Sequence, residues 1–207
     1  MLHEATKIIN SRLCCKYMDS NDQHILDDIV KKCVKGDRKA QQELYKIFYS
    51  KMMGVCYRYT NNSEDAKDIL QDGFVKVYSN LKKYNFKGSL EGWIRRIMVN
   101  TAIDHFRKNK NIYMINDDDG YILENSKVES ADSIYGQFGE SVIMEAIQSL
   151  SPAYKTVFNL NVIEGYQHKE IAEKLNISEG TSKSNLAKAK KNLKRILIEK
   201  EARLKHG

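Results

Sequence analysis

Hydrophobic residues recur at helical spacing along most of the chain and predict two blocks of helices. The first block extends from residue 22 to about residue 110, with apolar residues every three or four positions. Its clearest stripe comprises Leu44, Ile47, Phe48, Met52, Val55 and Tyr59, and an earlier one comprises Ile25, Ile29 and Val30. The second block extends from about residue 140 to about residue 200. The pattern therefore predicts an all-α protein with two small helical domains.

The end of the first block contains two further helices around an irregular stretch. One helix is predicted to begin near Ser63, a capping candidate that is followed by acidic residues. Its apolar stripe comprises Ile69, Phe74, Val77, Tyr78 and Leu81. The stretch KKYNFKGSLEGW contains Gly88 and Gly92 and is too interrupted to be one helix. A strongly helical segment follows from Trp93, with its apolar side formed by Ile94, Ile97, Met98, Ala102 and Phe106.

An acidic segment separates the two blocks. Residues 117–133 contain six Asp and Glu residues and one Lys, a composition typical of a solvated linker. The predicted division is an N-terminal extension at 1–21, a first domain at 22–112, a linker at 113–138, a second domain at 139–200 and a basic tail at 201–207. Met18 is an alternative start, which would make residues 1–17 an extension.

Composition narrows the function classes. The chain has 207 residues and a formal net charge of +7, which permits a polyanionic partner. No pair of cysteines has C-x-x-C spacing, so we expect no zinc site. Nothing marks secretion or a membrane span, so we expect a cytoplasmic protein with reduced thiols and no cofactor. A redox role for the adjacent pair stays open; the cysteines are Cys14, Cys15, Cys33 and Cys56.

Residues 170–196 have the pattern of a helix-turn-helix. The inner face of the first helix comprises Ile171, Ala172 and Leu175, and Ile177 lies in the turn. Ser178 can cap the second helix, whose buried side is predicted to comprise Leu186, Ala189, Leu193 and Ile196. Residues 178–207 contain nine Lys and Arg residues and three Glu residues. This excess of positive charge lies where the phosphates of bound DNA would be. This unit predicts DNA binding, a property that many transcription regulators share.

The first block has features suited to unpaired nucleotides. Residues 82–87 interleave two aromatic residues with three lysines, and aromatic faces stack on bases outside a duplex. In the next helix, Arg96, Asn100 and Arg107 fall on one stripe, with Trp93 and Asp104 beside them. The preceding helix is acidic over EDAKDILQDG, which is either a protein-docking face or an ordinary solvated helix.

The order of these parts resembles a bacterial RNA polymerase sigma factor of the extracytoplasmic-function group. Four stretches carry the resemblance, over roughly residues 22–196. In chain order they are DAKDILQDGFVKVY, GSLEGWIRRIMVNTAIDHFRK, the acidic linker and LSPAYKTVFNLNVIEGYQHKEIAEKLNISEGTSKSNLAKAKKNLKR. It implies a sigma domain 2 and a sigma domain 4. It also implies promoter-specific transcription initiation by binding, without catalysis.

The resemblance also implies roles for individual residues. Docking on the β′ clamp helices of core polymerase falls on Asp68, Gln71 and Asp72, with Phe74 as packing support. Opening of the minus-ten element and capture of a flipped base fall on Tyr84, Phe86, Lys87, Ser89, Trp93, Arg96, Asn100 and Arg107. Reading of the minus-thirty-five element falls on Thr181, Lys183, Ser184, Lys188 and Lys191. The implied partners are core polymerase, through the clamp helices and the β flap, promoter DNA and an anti-sigma factor.

Some residues depart from the family, and two other functions compete. The family often has a branched apolar residue facing the core where Ser182 stands, and arginines at Asn185 and Lys190. Lysine cannot form the forked contact that arginine makes with guanine, so base readout is expected to differ. A stand-alone helix-turn-helix regulator would need neither the acidic face nor the aromatic loop. An enzyme is disfavoured because the histidines are scattered, and no phosphate-binding or nucleophile motif occurs.

Overall fold

The computed structural model describes residues 20–115 and 140–206, and these residues form helices and no strand. They divide into two compact units, and the division after His105 falls inside the helix Leu90–Ile115. The predicted all-α fold class is confirmed. Within the described ranges, no helix has the length and apolar character that crossing a membrane requires. Most of the predicted linker and the whole segment with Cys14, Cys15 and Met18 lie outside the described residues.

The N-terminal unit contains three α-helices and the larger part of a fourth, which continues past His105. They are α1 at Ser20–Val34, α2 at Arg38–Tyr57, α3 at Ser63–Asn80 and α4 at Leu90–Ile115, with a 3-10 turn at Leu81–Lys83 after α3. Helix α2 packs against α1 and α3, and the 3-10 turn packs against both α1 and α3. Helix α4 extends three residues past the predicted domain end at 112.

Local interactions explain where α2 and α3 begin. The side chain of Asp37 accepts hydrogen bonds from the amides of Lys39 and Ala40. For α3 the capping residue is Asn62, whose side chain accepts from the Asp65 amide at 2.8 Å. The prediction that Ser63 caps this helix is therefore wrong by one position. Either residue type can serve as an N-cap, so the sequence alone did not separate them.

Two apolar residues of the predicted core stripes are on the surface. Ile25 is 53% exposed and Ile47 is 42% exposed. The buried face of α1 instead begins at Leu26, because that residue shares the helical phase of Ile29, Val30 and Cys33. The remaining members of the stripe that contains Ile47 are buried, and the last of them, Tyr59, lies just after the end of α2.

The C-terminal unit is a second helical bundle. It comprises α5 at Glu140–Gln148, α6 at Pro152–Phe158, a π-helical turn at Asn159–Ile163, α7 at His168–Leu175 and α8 at Glu179–His206. Helix α8 packs against α5, α6 and α7. Leu197 is fully buried and Ile196 only half-buried, which corrects the predicted core side of α8. Leu197 follows Leu193 by four residues and so stays on the same face.

Candidate protein-docking and nucleic-acid surfaces

The acidic residues of α3 form an exposed face. Asp68, Gln71 and Asp72 are all exposed and lie at i, i+3 and i+4, so they share one side of the helix. Phe74 is 2% exposed, and its ring centroid lies 4.6 Å from that of Tyr45 in α2. This placement fits the predicted division between contact residues and packing support.

Val75 is a member of the acidic face that sequence reasoning missed. Its side chain is 64% exposed, the largest exposed fraction among the large apolar residues of the described chain. It follows Gln71 by four residues and Asp72 by three, so it lies on the same side of α3. The available signal was this spacing, which places an aliphatic residue within an otherwise polar stripe. The acidic face therefore has an apolar member that a protein partner can cover.

The loop between α3 and α4 is ordered around Tyr84. The Tyr84 side chain is buried, and its hydroxyl donates a hydrogen bond to the Gly88 carbonyl at 2.9 Å. Its ring centroid lies 5.0 Å from that of Phe86 and 5.6 Å from that of Trp93. The three rings form a continuous aromatic cluster. Tyr84 thus supports the loop from inside, whereas Phe86 and Trp93 offer the accessible ring surface.

Phe86 lies at the accessible end of this aromatic cluster. Its side chain is 46% exposed and its φ is +59°, in the left-handed region that bulky residues rarely adopt. Such backbone strain persists only where neighbouring structure holds it, and it is concentrated at binding sites. The Asn85 side chain accepts from the Lys87 amide at 3.1 Å, which helps to hold the turn. An exposed aromatic face beside Lys87 is suited to stacking on an unpaired base.

Ser89 belongs to the framework of the loop. Its hydroxyl oxygen accepts from the Gly92 amide at 3.1 Å, and its carbonyl accepts from the Trp93 amide. Ser89 therefore caps α4, and this role accounts for its side chain. The next turn is tied to α2 by a 2.5 Å contact between Lys51 Nζ and Glu91 Oε2. These contacts fix where the basic side of α4 begins.

The basic stripe of α4 is on the surface as predicted. Arg96, Asn100 and Arg107 are exposed, and Trp93 is half-buried at the start of the stripe. Asp104, beside them, pairs with Lys76 of α3 at 2.9 Å. Its charge is thus partly neutralised. The stripe and the exposed Lys87 leave a positive surface beside the aromatic loop, a combination typical of single-stranded nucleic-acid sites.

The helix-turn-helix forms with the predicted cap. Helix α7 begins after Gln167, whose amide donates to Glu170 Oε2 at 2.7 Å. Asn176 has a φ of +52° at the end of α7, and the chain turns there into α8. The Ser178 hydroxyl oxygen accepts from the Thr181 amide at 2.9 Å, which confirms Ser178 as the cap. Helix α8, the second helix of the motif and hereafter the recognition helix, is therefore held at its first turn.

The residues implied in reading duplex DNA lie on the outer side of α8. Thr181, Lys183 and Lys191 are exposed, whereas Ser184 and Lys188 are half-buried. Lys188 Nζ lies 5.7 Å from the ring centroid of Tyr154, a cation–π contact that limits its reach. The Ser184 hydroxyl donates to the Thr181 carbonyl at 3.0 Å. The structure thus places all five on one helix, with different freedom to contact DNA.

The first turn of α8 also carries a carboxylate. Glu179 Oε1 lies 2.8 Å from Lys183 Nζ. The hydrogen bond and charge of Lys183 lower the pKa of the Glu179 carboxyl, and the nearby charges of His168 and Lys169 lower it further. A negative charge near expected phosphates weakens binding unless a cation offsets it.

Ser182 is fully buried on the inner side of this turn, where the family resemblance implies a core-facing residue. Its hydroxyl oxygen lies 2.9 Å from Nδ1 of His168, the first residue of α7. His168 was not assigned a role by sequence reasoning, because its partner is distant in sequence. The hydrogen bond joins the start of α7 to the first turns of α8.

Metal binding and thiol reactivity are the other chemistry considered for the described part of the chain. Its residues contain no group of three side chains able to hold a metal ion. Cys33 and Cys56 are buried free thiols, and burial raises the pKa of Cys33 to about 11 and that of Cys56 to about 12. Thiols with such pKa values are poor nucleophiles at neutral pH.

Comparisons with known proteins match both units. The family model for Sigma-70 region 2 matches residues 44–112, and that for Sigma-70, region 4 matches residues 141–193. The ECF RNA polymerase sigma factor SigW of Bacillus subtilis is 28% identical over 176 residues, which cover 81% of this chain and 94% of SigW. The RNA polymerase sigma factor SigV of Bacillus subtilis is 30% identical over 161 residues, which cover 78% of this chain and 87% of SigV.

Among solved structures, the sigma factor RpoE of Bartonella quintana, in complex with the anti-sigma factor NepR, is similar with a TM-score of 0.44. The match has 20% sequence identity and covers 76% of this chain and 96% of RpoE.

Proposed function

Because the chain belongs to the RNA polymerase sigma factors of the extracytoplasmic-function group, we propose which of its surfaces perform the two steps of promoter recognition. As a sigma factor it directs promoter-specific transcription initiation. In the proposal, α3 docks on core polymerase, the loop and basic stripe of the N-terminal unit open the minus-ten element, and α8 reads the minus-thirty-five element.

The observation that carries the proposal is the coexistence of the acidic face and the aromatic, basic site. Asp68, Gln71, Asp72 and Val75 share one side of α3. The accessible aromatic rings and the cations lie instead on the following loop and on α4. Acidic residues repel nucleic acid, so a protein is the better partner for α3. We propose the β′ clamp helices as this partner, as the family resemblance implies.

The minus-ten site would work by stacking and charge. Phe86 and Trp93 would receive an unstacked base, while Lys87, Arg96 and Arg107 would hold the strand backbone. Flipping a base out of the duplex costs a few kcal/mol. A loop already held by Tyr84 and Ser89 would avoid the further entropic cost of ordering the site. The protein would need no catalytic group for this step, and we propose that it has no enzymatic activity.

The minus-thirty-five site would use the outer side of α8. Lys183 and Thr181 lie at the start of the helix, where recognition helices contact base edges. Lys191 is two turns further along and would contact phosphate. Lysine in place of the family's arginine at Lys190 is expected to weaken guanine readout.

Association with polymerase would place the protein in the cytoplasm. Regulation by an anti-sigma factor stays a prediction of the family resemblance.

A stand-alone helix-turn-helix regulator explains less of the chain. Such a protein has no use for the Sigma-70 region 2 unit, which the family match places over residues 44–112. The docking role of α3 distinguishes the two functions, because only a sigma factor depends on core polymerase.

Transcription in vitro tests the proposed function. Bacterial core polymerase would be incubated with pooled genomic fragments, with and without the protein, and transcript 5′ ends would be mapped. We expect discrete start sites that appear only with the protein and share two upstream elements. Phe86→Ala should reduce transcription from these promoters, and Ile47→Ala, which shortens an exposed apolar residue on α2, should not. Random initiation at the level of core polymerase alone would contradict the proposal.

A further inference from the structure

The start of the helix-turn-helix contains an ionisable residue that the proposed DNA contacts do not include. His168 is the first residue of α7 and is half-buried. Its Nδ1 lies 2.9 Å from the hydroxyl oxygen of Ser182, which has no exposed surface. The imidazole is therefore held in a defined position against the recognition helix.

The position of His168 is at the DNA-facing end of the domain, given the proposed function. The first turns of a recognition helix meet the bases in helix-turn-helix complexes. Ser182 lies in the first turns of α8, between Thr181 and Lys183, which we propose as DNA contacts. The hydrogen bond therefore holds the imidazole against the inner side of the first turns of α8, whose outer side carries the proposed contacts.

The charged groups around His168 come from both helices of the motif. On α8, Glu179 lies close enough for the charges of His168 and Lys169 to act on its carboxyl, and Lys183 pairs with Glu179. On α7, Lys169 follows His168 directly, and the Glu170 carboxylate accepts from the Gln167 amide. The π-helical turn Asn159–Ile163 also packs against α7 and has no ionisable side chain. Glu179 is thus the carboxylate on the recognition helix that a protonated His168 would face. Lys183 shares this carboxylate through its 2.8 Å ion pair.

We propose that His168 is a further DNA-affinity residue, whose protonation strengthens binding of this domain to duplex DNA. Imidazole is the side chain that changes charge near neutral pH. When protonated, His168 adds a positive charge beside the proposed contacts and offsets the charge of Glu179. Lys183 is then less restrained by Glu179 and is available to a phosphate. Both changes favour a polyanion, so affinity rises as pH falls.

The hydrogen bond with Ser182 keeps the imidazole in one position while its charge changes. Either protonation state of the ring can keep the bond, because the hydroxyl can accept from Nδ1–H or donate to a bare Nδ1. The ring therefore stays in place while its charge changes. His168 acts as a positioning and charge residue at the joint of the two helices, a role that does not require it to read a base.

The experiment measures duplex affinity against pH with the full chain. The probe is a fluorescent duplex of random sequence, about 30 base pairs long, at constant low ionic strength. For the wild type we expect the dissociation constant to fall about threefold to tenfold between pH 8 and pH 6. His168→Gln should bind as the wild type does at pH 8 and should lose this pH dependence. Ser182→Ala, which releases the ring, should reduce it.

Controls separate His168 from the histidines of the N-terminal unit. His24→Gln and His105→Gln change histidines of the N-terminal unit and should keep the wild-type profile. Circular dichroism should show that each variant is folded at both pH values. If His168→Gln does not fold, His168→Asn replaces it, because its amide can occupy the position of Nδ1.

The possible results distinguish this inference from the function on which it rests. A wild-type affinity that does not change with pH overturns the role of His168 while leaving DNA binding intact. A pH dependence that persists in the His168 variants, or disappears in His105→Gln, overturns it as well. If the wild type binds no duplex at either pH, the proposed DNA-reading role of α8 fails, and this inference fails with it.

Discussion

A Cβ atom built on Gly73 of α3 would lie 2.2 Å from Sδ of Met98 in α4. Met98 has no exposed surface, so its side chain fills the space that a larger residue at position 73 would need. Gly73 directly follows Asp72 of the acidic face, and Met98 lies between Arg96 and Asn100 of the basic stripe. The proposed polymerase face and the proposed minus-ten face are thus positioned by one close packing contact.

Substitution at this contact should destabilise the N-terminal unit. Relative to the matched control below, Gly73→Ala is expected to lower the free energy of unfolding by about 1–3 kcal/mol, because the fully buried Met98 side chain must shift. Thermal denaturation of the full chain measures the change. The matched control is Gly54→Ala in α2, where an added Cβ meets nothing within 4 Å. It should be neutral or stabilise by up to about 1 kcal/mol. Equal stability of the two variants would contradict the close contact.

The buried amine of Lys155 should make stability depend on pH. Lys155 has no exposed surface, and burial lowers the pKa of its amine to about 8. Its Nζ donates to Gln148 Oε1 at 3.3 Å, a long hydrogen bond. Below pH 8 the amine is charged in the folded and the unfolded chain, so the full desolvation penalty is present. Lys155→Met removes this charge and should stabilise the protein by about 1–3 kcal/mol at pH 7.

The sign of the pH dependence follows from linkage. Between pH 8 and about pH 10 the folded chain releases the Lys155 proton, while the unfolded chain keeps it. The unfolded state then binds more protons, so the contribution of Lys155 to stability rises with pH. The advantage of Lys155→Met over the wild type should therefore shrink from pH 7 to pH 10. Urea denaturation of both proteins checks this, and a constant difference would contradict a buried charged amine.

Two substitutions in the aromatic loop should affect different properties, one promoter opening and the other the stability of the fold. Phe86→Ala removes an exposed ring and should change the free energy of unfolding little, while weakening capture of an unpaired base by about 1–3 kcal/mol. Tyr84→Phe removes the hydrogen bond to the Gly88 carbonyl and should cost about 1 kcal/mol of stability. Permanganate oxidation of unpaired thymines in the open complex measures opening. Normal opening with Phe86→Ala would exclude the stacking role.

The buried thiols should be unreactive in the folded protein. With pKa values of about 11 and about 12, Cys33 and Cys56 carry almost no thiolate at pH 8. In a Cys14→Ser/Cys15→Ser background, Ellman's reagent should react with neither thiol until urea unfolds the chain. A fast reaction of the folded variant would show that these cysteines are accessible.

The sequence predicted the features that depend on local pattern. The helix-turn-helix, the Ser178 cap and the stripe of Arg96, Asn100 and Arg107 follow from helical periodicity and capping chemistry, which act over a few residues. Family resemblance assigned the docking face of α3, which composition alone left open. Its apolar member, Val75, was missed because a single exposed aliphatic residue is common on protein surfaces.

Features that depend on packing between distant segments were not predictable. Tyr84 was assigned a place among the DNA contacts, but its ring lies beneath Phe86 and its hydroxyl is used by the loop. The contact between His168 and Ser182 joins residues 14 positions apart. Burial of Lys155 contradicts the usual behaviour of lysine, and only the arrangement of α5 and α6 shows it. Side-chain type gives no signal for such positions until the helices are packed.

Binding to bacterial core RNA polymerase tests the central claim most directly. The wild type would be compared with Gln71→Ala/Asp72→Lys, which reverses charge on the acidic face, and with Glu43→Lys, which reverses an exposed charge on α2. We predict tight binding by the wild type and by Glu43→Lys, and loss of binding by the double variant while its fold and its affinity for duplex DNA are retained. Absence of wild-type binding to core from a matched bacterium, or equal binding by the double variant, would contradict the proposed docking face.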